Sequence, residues 1–324
     1  MNAKKLISTL LLVAGNTGFI GSQALAATTT ENLFLYSFEE TPVLDVDTSK
    51  SLMKQFLDGE SADRLVPSLD KTVRYVSPKD PNTTFEHNLN TGDIRFHRNF
   101  ARYLGDFKPE LPSTEEALKA AEMFLEENKL LPSNQAELKI AHIGGLRATS
   151  VIDGKQAGPI IDKLITLNYA REINGLPVIG PGSKILVDIG EKGEVLSLTR
   201  HWRELSPKAR QISPEETFSL DEAQRLAKIQ ISKEFGKRAT FELLGSQTAY
   251  FDNNGRLLQP VYAFQAKVFL PDQQTEAFEY ISVIPVLRKS PELLNLTKLD
   301  PKALRTIIST DETTLPGGTT RKPD

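Results

Sequence analysis

The sequence predicts an α+β protein: two tandem units, each a helix packed on an antiparallel sheet, preceded by a hairpin-rich N-terminal region. Three observations carry that expectation. Two S-x-x-E motifs, Ser113-Thr114-Glu115-Glu116 and Ser219-Leu220-Asp221-Glu222, begin 106 residues apart (219 − 113). Such a motif closes a capping box, in which serine satisfies the third-position N–H and glutamate reaches back. Each motif opens a run of apolar residues at helical spacing: Ala117, Ala121, Phe124 and Leu125 in the first, Leu220, Ala223, Ala227, Ile231 and Phe235 in the second. One face of each helix is therefore built for a core. Each helix is followed by alternating apolar runs joined by hairpin turns, an order that implies antiparallel sheets.

The elements follow in order. Residues 1–26 read as a secretory signal peptide, with a basic start at Lys4 and Lys5, an apolar stretch from Leu6 to Gly15, and small residues at Ala24-Leu25-Ala26. Residues 27–110 form the N-terminal region. It is polar and irregular to about Lys50, apart from an apolar patch at Leu33 to Phe38, and strand-like from Ser51. Its clearest feature is a hairpin: Phe85 to Leu89, a turn at Asn90-Thr91-Gly92, and Asp93 to His97. Residues 111–205 form the first unit. After its helix, strands are expected around Ile165-Leu167-Tyr169, over Lys184 to Ile189 and over Val195 to Trp202, with Asn174-Gly175 supplying a tight turn. Residues 206–290 form the second unit, with strands over Phe241 to Phe251, Pro260 to Phe269 and Phe278 to Val286. Residues 291–324 read as a short helix over Asp300 to Ser309 and a polar tail with too little apolar surface to fold.

Composition narrows the function. The 324 residues carry 39 Lys+Arg against 42 Asp+Glu and no cysteine. Disulfides, cysteine-ligated metals and thiol nucleophiles are excluded. A near-neutral balance argues against a nucleic-acid footprint, and no stretch is apolar enough for a transmembrane span. Cleavage after Ala26 would leave 298 residues (324 − 26), enough to bury a core without disulfides. The expected location is secreted or periplasmic.

The segments Glu116 to Leu131 and Arg171 to Ile189, closed by Gly190-Glu191-Lys192-Gly193-Glu194-Val195-Leu196, resemble the PepSY-type domain found in propeptides of thermolysin-like proteases and in many exported proteins. Asp221 to Phe235 and Val261 to Val268 look similar in the second unit. The family has no catalytic residues to carry over, and no metalloprotease follows here. The resemblance implies a binding, inhibitory or folding-assistant role.

The search for chemistry is consistent with that. His87, His97, His142 and His201 lack the His-Glu-x-x-His spacing, and period-two alternation puts His87 and His97 on opposite faces of their hairpin. Gly180-Pro181-Gly182-Ser183 is no nucleophile elbow; it reads as a shaped loop. Paired carboxylates such as Glu115-Glu116 suit helix starts, although a glycosidase-type acid pair cannot be read from sequence. The most pointed cluster is Arg200-His201-Trp202-Arg203. It reads either as an aromatic binding site flanked by cations or as a core tryptophan with arginines over its edges. The expectation is a non-catalytic binding protein without metal or cofactor, whose partner is an exported or envelope protein, a protease among the candidates. Strand addition at an open sheet edge is the expected route. The alternatives are a carbohydrate or small-ligand protein with Trp202 at a groove wall between the units, and a hydrolase with an unrecognised carboxylate pair.

Overall fold

The computed structural model describes residues 33–292 except 41–43, 58, 61–64, 150, 153–154, 157–158, 237 and 271–276. The expected signal peptide, C-terminal helix and tail lie outside the described residues. In chain order the elements are β1 (Phe34–Phe38), α1 (Val46–Phe56), β2 (Thr72–Val76), β3 (Thr84–Asn88), β4 (Ile94–His97) and α2 (Thr114–Glu127). Then come β5 (Leu138–Ala148), β6 (Val151–Ile152), β7 (Lys155–Gln156), β8 (Ile161–Ile173), β9 (Leu176–Ile179), β10 (Lys184–Ile189), β11 (Val195–His201) and β12 (Leu205–Gln211). The chain continues through α3 (Leu220–Phe235), β13 (Thr240–Phe251), β14 (Leu257–Phe269) and β15 (Phe278–Pro285).

This arrangement corrects the expected fold class. Strands dominate, with three α-helices among the described residues. The strands do not form two separate sheets, each under its own helix. They pair into one thirteen-stranded sheet, in the order β12-β1-β14-β13-β9-β8-β10-β11-β4-β3-β2, with β15 on β14 and β5 on β8. The sheet is mixed because β13 and β9 run parallel, Tyr250 opposite Val178. Two pairings defeat the tandem scheme. The N-terminal hairpin continues into β11 through β4, with Phe96 opposite Leu198, and β9 of the expected first unit pairs with β13 of the expected second. Matching helix caps marked two like helices but carried no information about which strands pair.

Two compact units are nevertheless distinguishable by their contacts. Unit 1 holds residues 34–210 and 250–258; unit 2 holds 211–249 and the chain from 259. In unit 1, α2 packs on β8, β10 and β11. Its cap is the expected box, with Glu116 N–H donating to Ser113 Oγ and Ser113 N–H donating to Glu116. Ala117, Ala121 and Leu125 are buried with Leu167, Ile185, Val187 and Leu198. Helix α1 spans the end of the segment read as irregular and the start of the one read as strand-like. Asp45 caps it by accepting from Thr48 N–H at 2.7 Å, and Ser49, Met53 and Phe56 bury one helical face. Phe56 meets Phe85, Phe96 and Phe124 at ring distances of 5.2 to 5.9 Å.

In unit 2, α3 packs on β15 from the second capping box, Ser219 with Glu222. Its buried face meets β14 and β15, where Phe235 makes edge contacts with Phe278 and Tyr280. Leu220, expected on that face, is 44% exposed at the helix start.

Candidate functional site

A groove of about 560 Å³ opens in unit 1 beside α1, the end of α2 and the end of β11. Helix α1 contributes Thr48, Ser51, Leu52 and Gln55. The end of α2 contributes Glu127 to Leu130, and its geometry is a Schellman motif. Lys129 takes φ 56°, its N–H bonds Glu126 O, and Leu130 N–H bonds Leu125 O at 2.8 Å. The remaining wall comes from His87 on β3, Ile94 on β4, and Arg200, Trp202, Arg203 and Glu204, with Glu39 and Glu40 at the mouth.

Three of the four residues singled out from sequence therefore meet in one groove. Trp202 is 2% exposed and belongs to the unit 1 core. The Arg171 guanidinium stacks 4.1 Å from its ring centroid, and its Nε1 is buried with no acceptor. Arg200 is turned inward, donating from Nε to Leu130 O at 2.8 Å and from a terminal nitrogen to Trp202 O at 3.1 Å. Burial pushes its guanidinium below the ordinary value. Arg203 donates to Gly255 O at 2.6 Å and to Asp252 Oδ1 at 3.0 Å, over the Phe38 ring. His201 is not among the groove-lining residues; its Nδ1 lies 3.3 Å from Asp93 on β11's other side.

His87 is 1% exposed and its Nδ1 lies 2.9 Å from Ser49 Oγ. Burial, and then the Arg200 charge, push its pKa down to about 4, so the ring is neutral at pH 7. A serine beside a histidine invites a nucleophilic reading. Ser49 is fully buried, so no substrate reaches it, and the pair ties α1 to β3 instead.

A second polar knot was not visible from sequence. Arg171, in the buried face of β8, donates to Ser183 Oγ at 3.1 Å and Arg203 O at 2.7 Å. Its Nε lies 3.0 Å from Glu137, close enough for an ion pair though not aligned as a hydrogen bond. Ser183 in turn donates to Asp252 Oδ2 at 2.7 Å. The Gly180-Pro181-Gly182 loop folds onto the same aspartate; a Cβ at Gly182 would land on the Asp252 carboxylate. The available signal was Arg171 itself, a cation at the position where Leu167, Tyr169 and Ile173 require a core residue. A buried arginine needs partners.

His87 and His97 do occupy opposite faces of their hairpin. His87 lies opposite Ile94 beside Phe85, and His97 lies opposite Ser197. Among the described residues no cluster of three or more His, Asp or Glu could hold a metal, and no helix is long and apolar enough to cross a membrane.

No protein-family model matches the chain, and no curated protein matches it. Among solved structures, an uncharacterized protein from Eubacterium rectale is similar over 82% of this chain and 86% of its own, at 10% identity and a TM-score of 0.41. The C-terminal domain of Bacillus megaterium YpeB is similar over 74% of this chain and 98% of its own, at 13% identity and a TM-score of 0.36.

Proposed function

We propose that this is a non-catalytic binding protein acting outside the cytoplasm, and that the unit 1 groove takes a short segment of an exported or envelope protein. The groove itself carries the reading: an apolar floor from Leu44, Leu52, Ile94 and Leu130 under a polar mouth, the usual character of a binding cleft. Two of the sheet edges, β12 and β5, are weaker candidates than the sequence suggested. Edge strand β12 carries Pro207, Lys208 and Arg210, and β5 has register shifts at Ile140/His142 and at Leu146/Arg147. Proline, charge and bulges are the devices that discourage strand addition. The carbohydrate reading loses its stacking platform, since Arg171 already covers the Trp202 ring.

A photo-crosslinking residue at Gln55, exposed on the groove wall, tests this in the full protein. It should trap a discrete exported partner, and Ser51→Tyr, which fills the groove from the same helix, should abolish the adduct. A crosslinker at exposed Met123 on α2 serves as the control site. The same adducts from Gln55 and Met123, or adducts indifferent to Ser51→Tyr, would overturn the proposal.

A further inference from the structure

The groove's charges are unevenly committed. Its cations are mostly spent inside the fold: Arg200 on the Leu130 and Trp202 carbonyls, Arg203 on Asp252 and Gly255. Lys129 alone is exposed. Of the acids, Glu204 accepts from Ser133 N–H at 3.1 Å. Glu39, Glu40 and Glu127 are exposed at the mouth, and no ion pair joins them to any described residue. One almost fully buried polar side chain also lines this groove with bonding capacity unused: His87 is held at Nδ1 by Ser49, and its Nε2 has no partner among the described residues.

From this juxtaposition we infer that the groove selects a segment bearing a lysine or arginine side chain, whose cation meets Glu39, Glu40 and Glu127 at the mouth. The segment's apolar residues cover Leu44, Leu52 and Ile94, and its backbone supplies hydrogen-bonding groups to the floor. Unpaired carboxylates at a cleft mouth favour a cationic partner by charge complementarity. The inference rests on the groove reading above and adds the chemistry of the occupant.

The single tryptophan of the chain lines the groove and reports binding. Three N-acetylated, C-amidated hexapeptides, Ala-Leu-X-Leu-Ala-Ala with X as lysine, glutamine or glutamate, are titrated against the full protein by fluorescence. The lysine peptide should bind about tenfold more tightly than the glutamate peptide at low salt, the scale of two or three exposed charge contacts. That advantage should shrink as salt rises. The triple variant Glu39→Gln, Glu40→Gln, Glu127→Gln alters exposed positions only, and should bind all three peptides alike while its circular dichroism is unchanged. Equal binding of lysine and glutamate peptides, or a preference that survives in the triple variant, overturns the charge selection and leaves the groove reading standing. Binding of none of the three overturns both.

Discussion

His87 shows how one side chain can set a pH response. Its folded pKa of about 4 lies below the ordinary histidine value of 6.5. Between those values the unfolded chain binds a proton that the folded one refuses, so stability falls as pH drops from about 6.5 toward 4 and is complete above that window. Burial pushes His97 in the same direction. We expect His87→Gln to reduce the stability loss between pH 7 and pH 5 by about 2 kcal/mol, measured by urea unfolding at the two pH values; an unchanged loss would place the titration elsewhere. Alternation alone put His87 and His97 on opposite faces of the hairpin, because a strand's side-chain period is two. Strict alternation would likewise set Leu196 beside Leu198 and Trp202, and there it fails. The β10–β11 register shifts between Asp188 and Ile189, which turns Leu196 to Tyr103 and Leu164 and Val195 to the main core. Bulges leave no mark in a hydrophobic pattern.

At the scale of elements, the capping boxes were the most legible feature, because their chemistry is local. Ser113→Ala and Ser219→Ala should each destabilise the fold by about 1 kcal/mol, read as a lowered unfolding midpoint, with the threonine variants close to wild type. Elements defined by distant contacts were harder to read. Strand β5 contains Gly144-Gly145, which resembles a turn. Yet a Cβ at Gly145 would strike the Leu164 carbonyl on β8, so the glycine marks close strand approach rather than a bend. Helix α1 escaped notice because Ser49 and not an apolar residue occupies part of its buried face. Its pairing with His87 makes that polar position tolerable. The groove was half legible for a related reason. Arg200, Trp202 and Arg203 adjoin in sequence, whereas Ser51 and Glu127 reach them only through helix placement and Glu39 only through the placement of β1.

At the scale of the molecule, unit 1 is discontinuous: residues 250–258 belong to it although residues 211–249 do not. Within that returning segment, Asp252 receives Ser183 and Arg203, and Tyr250 meets Tyr36 at a ring distance of 5.4 Å. A fragment ending at residue 210 would leave Arg203 and Ser183 without their carboxylate, a loss of about 3 kcal/mol or more for a buried pair. It should show no cooperative unfolding by near-ultraviolet circular dichroism, where the full chain does; a fragment that unfolds like the whole would mean that unit 1 closes without the segment. This discontinuity also sets a schedule. Ribosomes deliver the chain from its N-terminus, so Ser183 and Arg203 exist well before the aspartate that joins them. For that interval unit 1 is an unfinished body with its last latch still to be synthesised. Any factor that shields or threads the nascent chain meets it in that open form.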